Sequence, residues 1–129
     1  MRFVALDFET TGLDPNDGAE IIEIGAVRFG LEEGLLDIFA GYCRPTKPIS
    51  KRITKINGIT NADVASAPEP VVRWNEFLSW AGECDAIVCH NAPFELKFIR
   101  KLYKEQGQDL PDLSFIDTLK LARRRVEGA

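Results

Sequence analysis

Histidine occurs once in the 129 residues and cysteine three times. Cys43, Cys84 and Cys89 are odd in number and lack the paired spacing of a zinc site. Neither a disulfide framework nor a cysteine metal site is expected, and the thiols point to a reducing, cytoplasmic setting. No apolar run approaches the ~20 residues that cross a bilayer. The acids that begin at Asp7 interrupt any signal-peptide pattern, so no membrane partner is expected. Internal repeats, low-complexity tracts and linkers are all missing, and residues 1–129 read as one domain. Nor is there an excess of positive charge. The net charge of −4 and pI of about 5.0 argue against a broadly basic nucleic-acid-binding face. The deficit is uneven, however. Residues 44–55 carry Arg44, Lys47, Lys51, Arg52 and Lys55 and no acid, which leaves −9 on the rest of the chain. Such a loop is either a solvated surface or a local hold for an anionic substrate.

What is present is the composition of a globular domain, 45% hydrophobic and 28% charged. Residues 2–9 read as a strand with Phe3 and Ala5 on one face and Val4, Leu6 and Phe8 on the other, the pattern of a covered sheet. Residues 20–29 and 35–42 read as two more strands, joined by a turn that Gly30 and Gly34 bracket. A long loop with Pro45, Pro48, Gly58 and Pro68 holds a short helical turn near Ser50–Ile56. Residues 70–82 read as a helix with Val71, Trp74, Leu78 and Ala81 as its buried stripe. A short strand over 86–89 precedes a helix over 92–105, with Asn91 as N-cap and Gly107 as terminator. A brief strand near 113–116 leads to a last helix from about Asp117. A hairpin-like start followed by alternation predicts a mixed α/β sheet with helices on its faces.

Three acids stand where the pattern is apolar. Asp7 and Glu9 continue the row of Phe3 and Ala5, so their carboxylates leave a buried strand side by side. Either the strand ends here and both are wet, or divalent cations relieve their repulsion. The turn Thr10–Pro15 that follows offers backbone N–H groups able to hold a phosphate or sugar. Glu95 falls inside the inward stripe of its helix, between Phe98, Leu102 and Ile99, while Lys97, Arg100, Lys101 and Lys104 take the opposite face. It is either a site residue or a first-turn acid that answers the helix dipole. His90 reads as a hydrogen-bonding residue at a strand end, and Glu23 as the partner of a nearby base. Asp117 reads as the cap of the last helix, or as a support near a metal.

Five segments in order, Asp7–Leu13, Ile21–Ala26, Ile56–Thr60, His90–Glu95 and Asp117–Arg123, make the chain resemble the DnaQ-type, histidine-containing branch of the DEDD 3′–5′ exonucleases. That branch includes the proofreading subunit of bacterial DNA polymerase III. The resemblance implies a ribonuclease H-like fold and phosphodiester hydrolysis with two divalent ions, Mg²⁺ or Mn²⁺. It implies Asp7, Glu9 and Glu95 as catalytic metal ligands, and Thr10, Thr11, Gly12, Leu13, Thr60 and Asn91 as nucleotide-binding residues. His90 and Asp117 would support them. The implied substrate is the 3′ end of single-stranded DNA, and the implied partner a DNA polymerase. An RNA-directed exoribonuclease and a non-catalytic nucleic-acid-binding or interaction module with the same fold are the alternatives.

Three departures shape the expectation. Glu95 stands where the family has aspartate, and Asn57 where it has histidine. The sequence also stops at Ala129, before the family's last helix with its general-base histidine and fourth carboxylate. A C-terminally truncated exonuclease domain with little hydrolysis is therefore expected. Apolar surface exposed around the first strand and last helix is expected too, with homodimerisation through it or a disordered C-terminus as its consequence.

Overall fold

The computed structural model describes residues 1–128, with side chains through Arg124. Strand β1 (Arg2–Thr10) pairs antiparallel with β2 (Ile21–Gly30), and β2 with β3 (Gly34–Tyr42). Two short helices follow, α1 (Lys51–Asn57) and α2 (Asn61–Val64), then α3 (Pro70–Ala81). Strand β4 (Ala86–Cys89), helix α4 (Ala92–Glu105), strand β5 (Phe115–Asp117) and helix α5 (Thr118–Gly128) complete the order. The sheet runs β3-β2-β1-β4-β5, with β1, β4 and β5 parallel. Their carboxyl ends therefore share one edge, where α/β sheets present ligand-binding groups.

Alternation along β1 decides which face is covered. Val4, Leu6 and Phe8 are buried against α3 and α4, together with Trp74, Phe77, Phe98 and Ile99. Phe77, rather than Leu78, is the fully buried centre of α3, because Trp74, Phe77 and Ala81 share one side of the helix while Leu78 and Val71 flank it half-buried. The Trp74 indole N–H donates to the Tyr103 hydroxyl at 2.9 Å and locks α3 to α4.

The expectation that β1 is covered on both faces is corrected. Its other face borders a broad, shallow hollow lined in part by Ala5, Asp7, Val27, Ile38, Val88, His90 and Thr118. Ile38 is 61% exposed there. Apolar residues on both faces of a strand specify two contacts, and among the described residues only one of them is made.

Helix α2 was not legible as a helix in the loop reading. Four residues are too few for periodicity, but a reciprocal capping box between Thr60 and Asp63 starts it. Ile22, Ile49, Ile59 and Val64 form a small separate core that holds α1 and α2 against the end of β2.

Candidate active site

The acids gather at the edge where the parallel strands end. Asp7 and Glu9 lie at the end of β1, and Asp117 pairs with Cys89 at the ends of β5 and β4. The first turn of α4 brings Glu95 over the same edge. Glu95 is the one charged residue buried among the described residues, 3% exposed. Burial, then the nearby Asp7 charge and more weakly Asp117, push its carboxyl up to about 8. Desolvation raises Asp7 as well, against one hydrogen bond from the Phe8 backbone. Glu9 is raised by desolvation and then by Asp7 and Glu23. None of these acids takes part in an ion pair among the described residues; the pairs found are Arg2–Glu33, Arg28–Asp37, Arg73–Glu76 and Lys101–Glu105.

Glu23 corrects its own expectation. It meets no base among the described residues and stands opposite Glu9 across the β1–β2 ladder. Burial and the Asp7 charge raise it too. Sequence reading missed it as a member of the acidic group because only the register places it there.

Oxygen-rich, like-charged and without a counter-cation, this donor set fits hard divalent ions in its chemistry. It is not a ready cage, however. No three His, Cys, Asp or Glu side chains among the described residues are arranged to hold a metal ion.

Beside Glu9 opens a cleft of about 810 Å³ whose walls include Thr10, Thr11, Gly12 and Leu13. The turn is closed locally. The Thr10 hydroxyl donates to Gly12 O at 2.7 Å, the Thr11 N–H donates to Glu20 O, and Thr11 Oγ1 accepts from the Glu20 N–H. Leu13 is left 81% exposed. Facing it are Phe94 from α4 and Ile53, Ile56 and Asn57 from α1, with Lys47 and Arg52. Ile56 is 70% exposed, an apolar side chain with no core to join. Phe94, Ile53, Ile56 and Asn57 were absent from the sequence-derived site, whereas Lys47 and Arg52 belong to the basic loop read as a possible anion hold. The spacing 52, 53, 56, 57 on one face of a short helix is the signal that could have found them.

The remaining candidates separate. Thr60 is not in the cleft. It caps α2, its Oγ1 accepting from Asp63 N–H, and it borders another hollow behind α1. Asn91 precedes α4 but makes no side-chain cap. Its backbone is left-handed at φ 76°, and its N–H donates to Asp117 Oδ1 at 2.9 Å. Asp117 Oδ1 also accepts from Leu119 and Lys120 and so caps α5, as one of its readings has it. Desolvation opposes its charge, but the N–H groups of Asn91, Lys120, Ala92 and Leu119 outweigh it and hold the carboxyl below its usual value. His90 Nδ1 lies 2.9 Å from Thr118 Oγ1, outside the cleft and beside Asp7 on the open face. Cys89 is buried, and its thiol is pushed up to about 12 by burial and then by Glu95, Asp117 and Asp7.

Residues 4–129 match the exonuclease family designated RNase T. The chain belongs to that family. A PolC-type DNA polymerase III of Caldanaerobacter subterraneus subsp. tengcongensis is 40% identical over 125 residues, which cover 95% of this chain and 8% of that protein. The DNA polymerase III epsilon subunit of Rickettsia prowazekii is 34% identical over 133 residues, covering all of this chain and 58% of the subunit. This exonuclease domain thus spans less than two thirds of either relative's length. The nuclease domain of 3′hExo, a DEDDh family member bound to rAMP, superposes with a TM-score of 0.83 at 20% identity, covering 99% of this chain and 72% of that one. That likeness establishes the ribonuclease H-like fold of the exonuclease domain. No helix among its described residues is long and apolar enough to cross a membrane.

Proposed function

We propose that this domain removes nucleotides from the 3′ end of single-stranded DNA by metal-dependent hydrolysis, in the cytoplasm and in company with a DNA polymerase. The observation that carries the reading is Glu95, buried at 3% exposure, raised to about 8 and without a cationic partner among the described residues. Once ionised, a carboxylate buried there is costly unless a cation joins it. Asp7, Glu9 and Glu95 would hold two divalent ions, Mg²⁺ or Mn²⁺. Bound there, such ions supply a polarised water and neutralise charge on the phosphodiester.

The protein's own groups do the positioning. The backbone of Thr10–Gly12 seats the terminal sugar. Leu13, Ile56 and Phe94 present apolar surface to the terminal base, and Asn91 orients the 3′ end. Water adds to phosphorus, the bond to the leaving 3′ oxygen breaks, and a nucleoside 5′-monophosphate departs with a new 3′ hydroxyl left on the strand. Hydrolysis by these 129 residues is proposed to be slow, because the general-base histidine and fourth carboxylate that the family resemblance implies have no match among them.

One observation favours a non-catalytic nucleic-acid-binding module instead: the lack of a ready three-ligand arrangement among the described residues. A single-turnover assay on a 3′-labelled oligonucleotide, with Mg²⁺ or Mn²⁺ and with EDTA, separates the two readings. Metal-dependent release of single nucleotides, abolished in Asp7→Ala, is expected. Metal-independent binding with no cleavage at high enzyme concentration would favour the module.

A further inference from the structure

The five cations of residues 44–55 do not share one surface. Lys47 and Arg52 line the cleft beside Glu9, whereas Lys51 and Lys55, four residues apart on α1, border the hollow behind that helix. Arg44 borders a third depression, against α3 and α4, which Lys47 also lines. No ion pair involves any of the five among the described residues.

Lys47 has a fixed place. Glu20 Oε1 accepts from the Thr46 N–H at 2.8 Å and its hydroxyl at 2.7 Å, and Oε2 accepts from the Lys47 N–H at 3.3 Å. The ammonium hangs over Gly18, 3.1 Å from where a β-carbon on that glycine would stand. Asp14, Asp17 and Glu20 share this wall. Asp14 is engaged by the Asn16 N–H and Glu20 by the loop backbone. Lys47 and Arg52 thus make no ion pair among the described residues and are the two cations of a cleft that Glu9, Asp14, Asp17 and Glu20 also line.

We propose that Lys47 and Arg52 grip the phosphates upstream of the terminal nucleotide, so that the site holds a polynucleotide strand more tightly than the free mononucleotide. The proposal rests on the nuclease reading of the cleft. An anionic strand is repelled by the acids that line the cleft and needs attraction along its length, which Lys47 and Arg52 are placed to supply. A released nucleotide has no upstream phosphate, loses that hold and leaves.

The test measures binding of a 3′-phosphorothioate pentathymidylate and of thymidine monophosphate, in Mg²⁺, across a salt series. It compares the wild type with K47A/R52A and with K51A/K55A, a control that removes equal charge from the other side of α1. Lys47, Lys51, Arg52 and Lys55 are all exposed, so both variants should fold. In K47A/R52A the slope of log affinity against log salt should fall by about 1.4, at ~0.7 for each single-strand phosphate contact. Pentamer affinity should drop about tenfold, with monophosphate binding unchanged and the control near wild type. That result stands whether or not the wild type hydrolyses. Equal losses in both variants, or an unchanged slope in K47A/R52A, overturn the grip, while cleavage by the wild type would still uphold the nuclease. A wild type that binds no pentamer overturns both.

Discussion

Glu9 and Glu23 stand opposite one another across the antiparallel β1–β2 ladder, and no base pairs with either among the described residues. Like charges directly opposed in a sheet destabilise it. Both carboxyls are raised, by desolvation first and then by Asp7, with Glu23 adding to the shift at Glu9. The strain sits where the family resemblance places metal ligands.

Glu23→Gln should therefore stabilise the metal-free protein, by about 0.2–1 kcal/mol on the scale of cross-strand pairs. Urea denaturation in EDTA measures it. In saturating Mn²⁺ the gain should shrink, because the cation removes the same repulsion. An equal gain in both conditions would show that no metal binds near this pair.

The pH dependence has a definite sign. Glu95 is held near 8 in the fold, against an ordinary 4.5 when unfolded. The native state therefore keeps a proton that the unfolded chain releases. That contribution is full below about 4.5 and is lost as pH rises towards 8. Metal-free stability should fall across this window by an amount on the order of a few kcal/mol. Glu95→Gln should flatten the fall. Divalent metal should raise the melting temperature more at pH 8 than at pH 5, since it competes with that proton. Melting curves at several pH values, with and without Mn²⁺, provide the check.

Asn91 separates folding from function. Its φ of 76° costs an ordinary side chain roughly 1–2 kcal/mol, less for asparagine and nothing for glycine. Asn91→Gly should keep the native melting temperature, and Asn91→Ala should lower stability by about 1 kcal/mol. Both should weaken oligonucleotide binding if the amide orients the 3′ end. Retained binding in the glycine variant would confine Asn91 to a backbone role.

Thr60 should behave in the opposite way. It caps α2 through Asp63 and faces away from the cleft. Thr60→Ala should cost about 1 kcal/mol, the usual value of such a cap. Its affinity for oligonucleotides should stay at the wild-type level in fluorescence anisotropy, and a selective loss of affinity would return Thr60 to the site.

Local pattern was enough for the longer elements, though not for the four-residue α2. The β1 alternation, the Trp74–Ala81 stripe and the apolar face of α4 are set by side chains a few residues apart, so their periodicity shows in the sequence. Glu95 was legible for the same reason, as an acid inside an apolar stripe. Its family followed from five short segments in order. Only the tertiary structure decided what meets across distance. Register put Glu23 opposite Glu9, and the packing of α1 turned Arg52 and Ile56 into the cleft but Lys51 and Lys55 out of it. Those choices depend on how separate elements dock, and docking is set by cores such as Ile22, Ile49, Ile59 and Val64, whose members lie too far apart in the chain for any local period to reveal them.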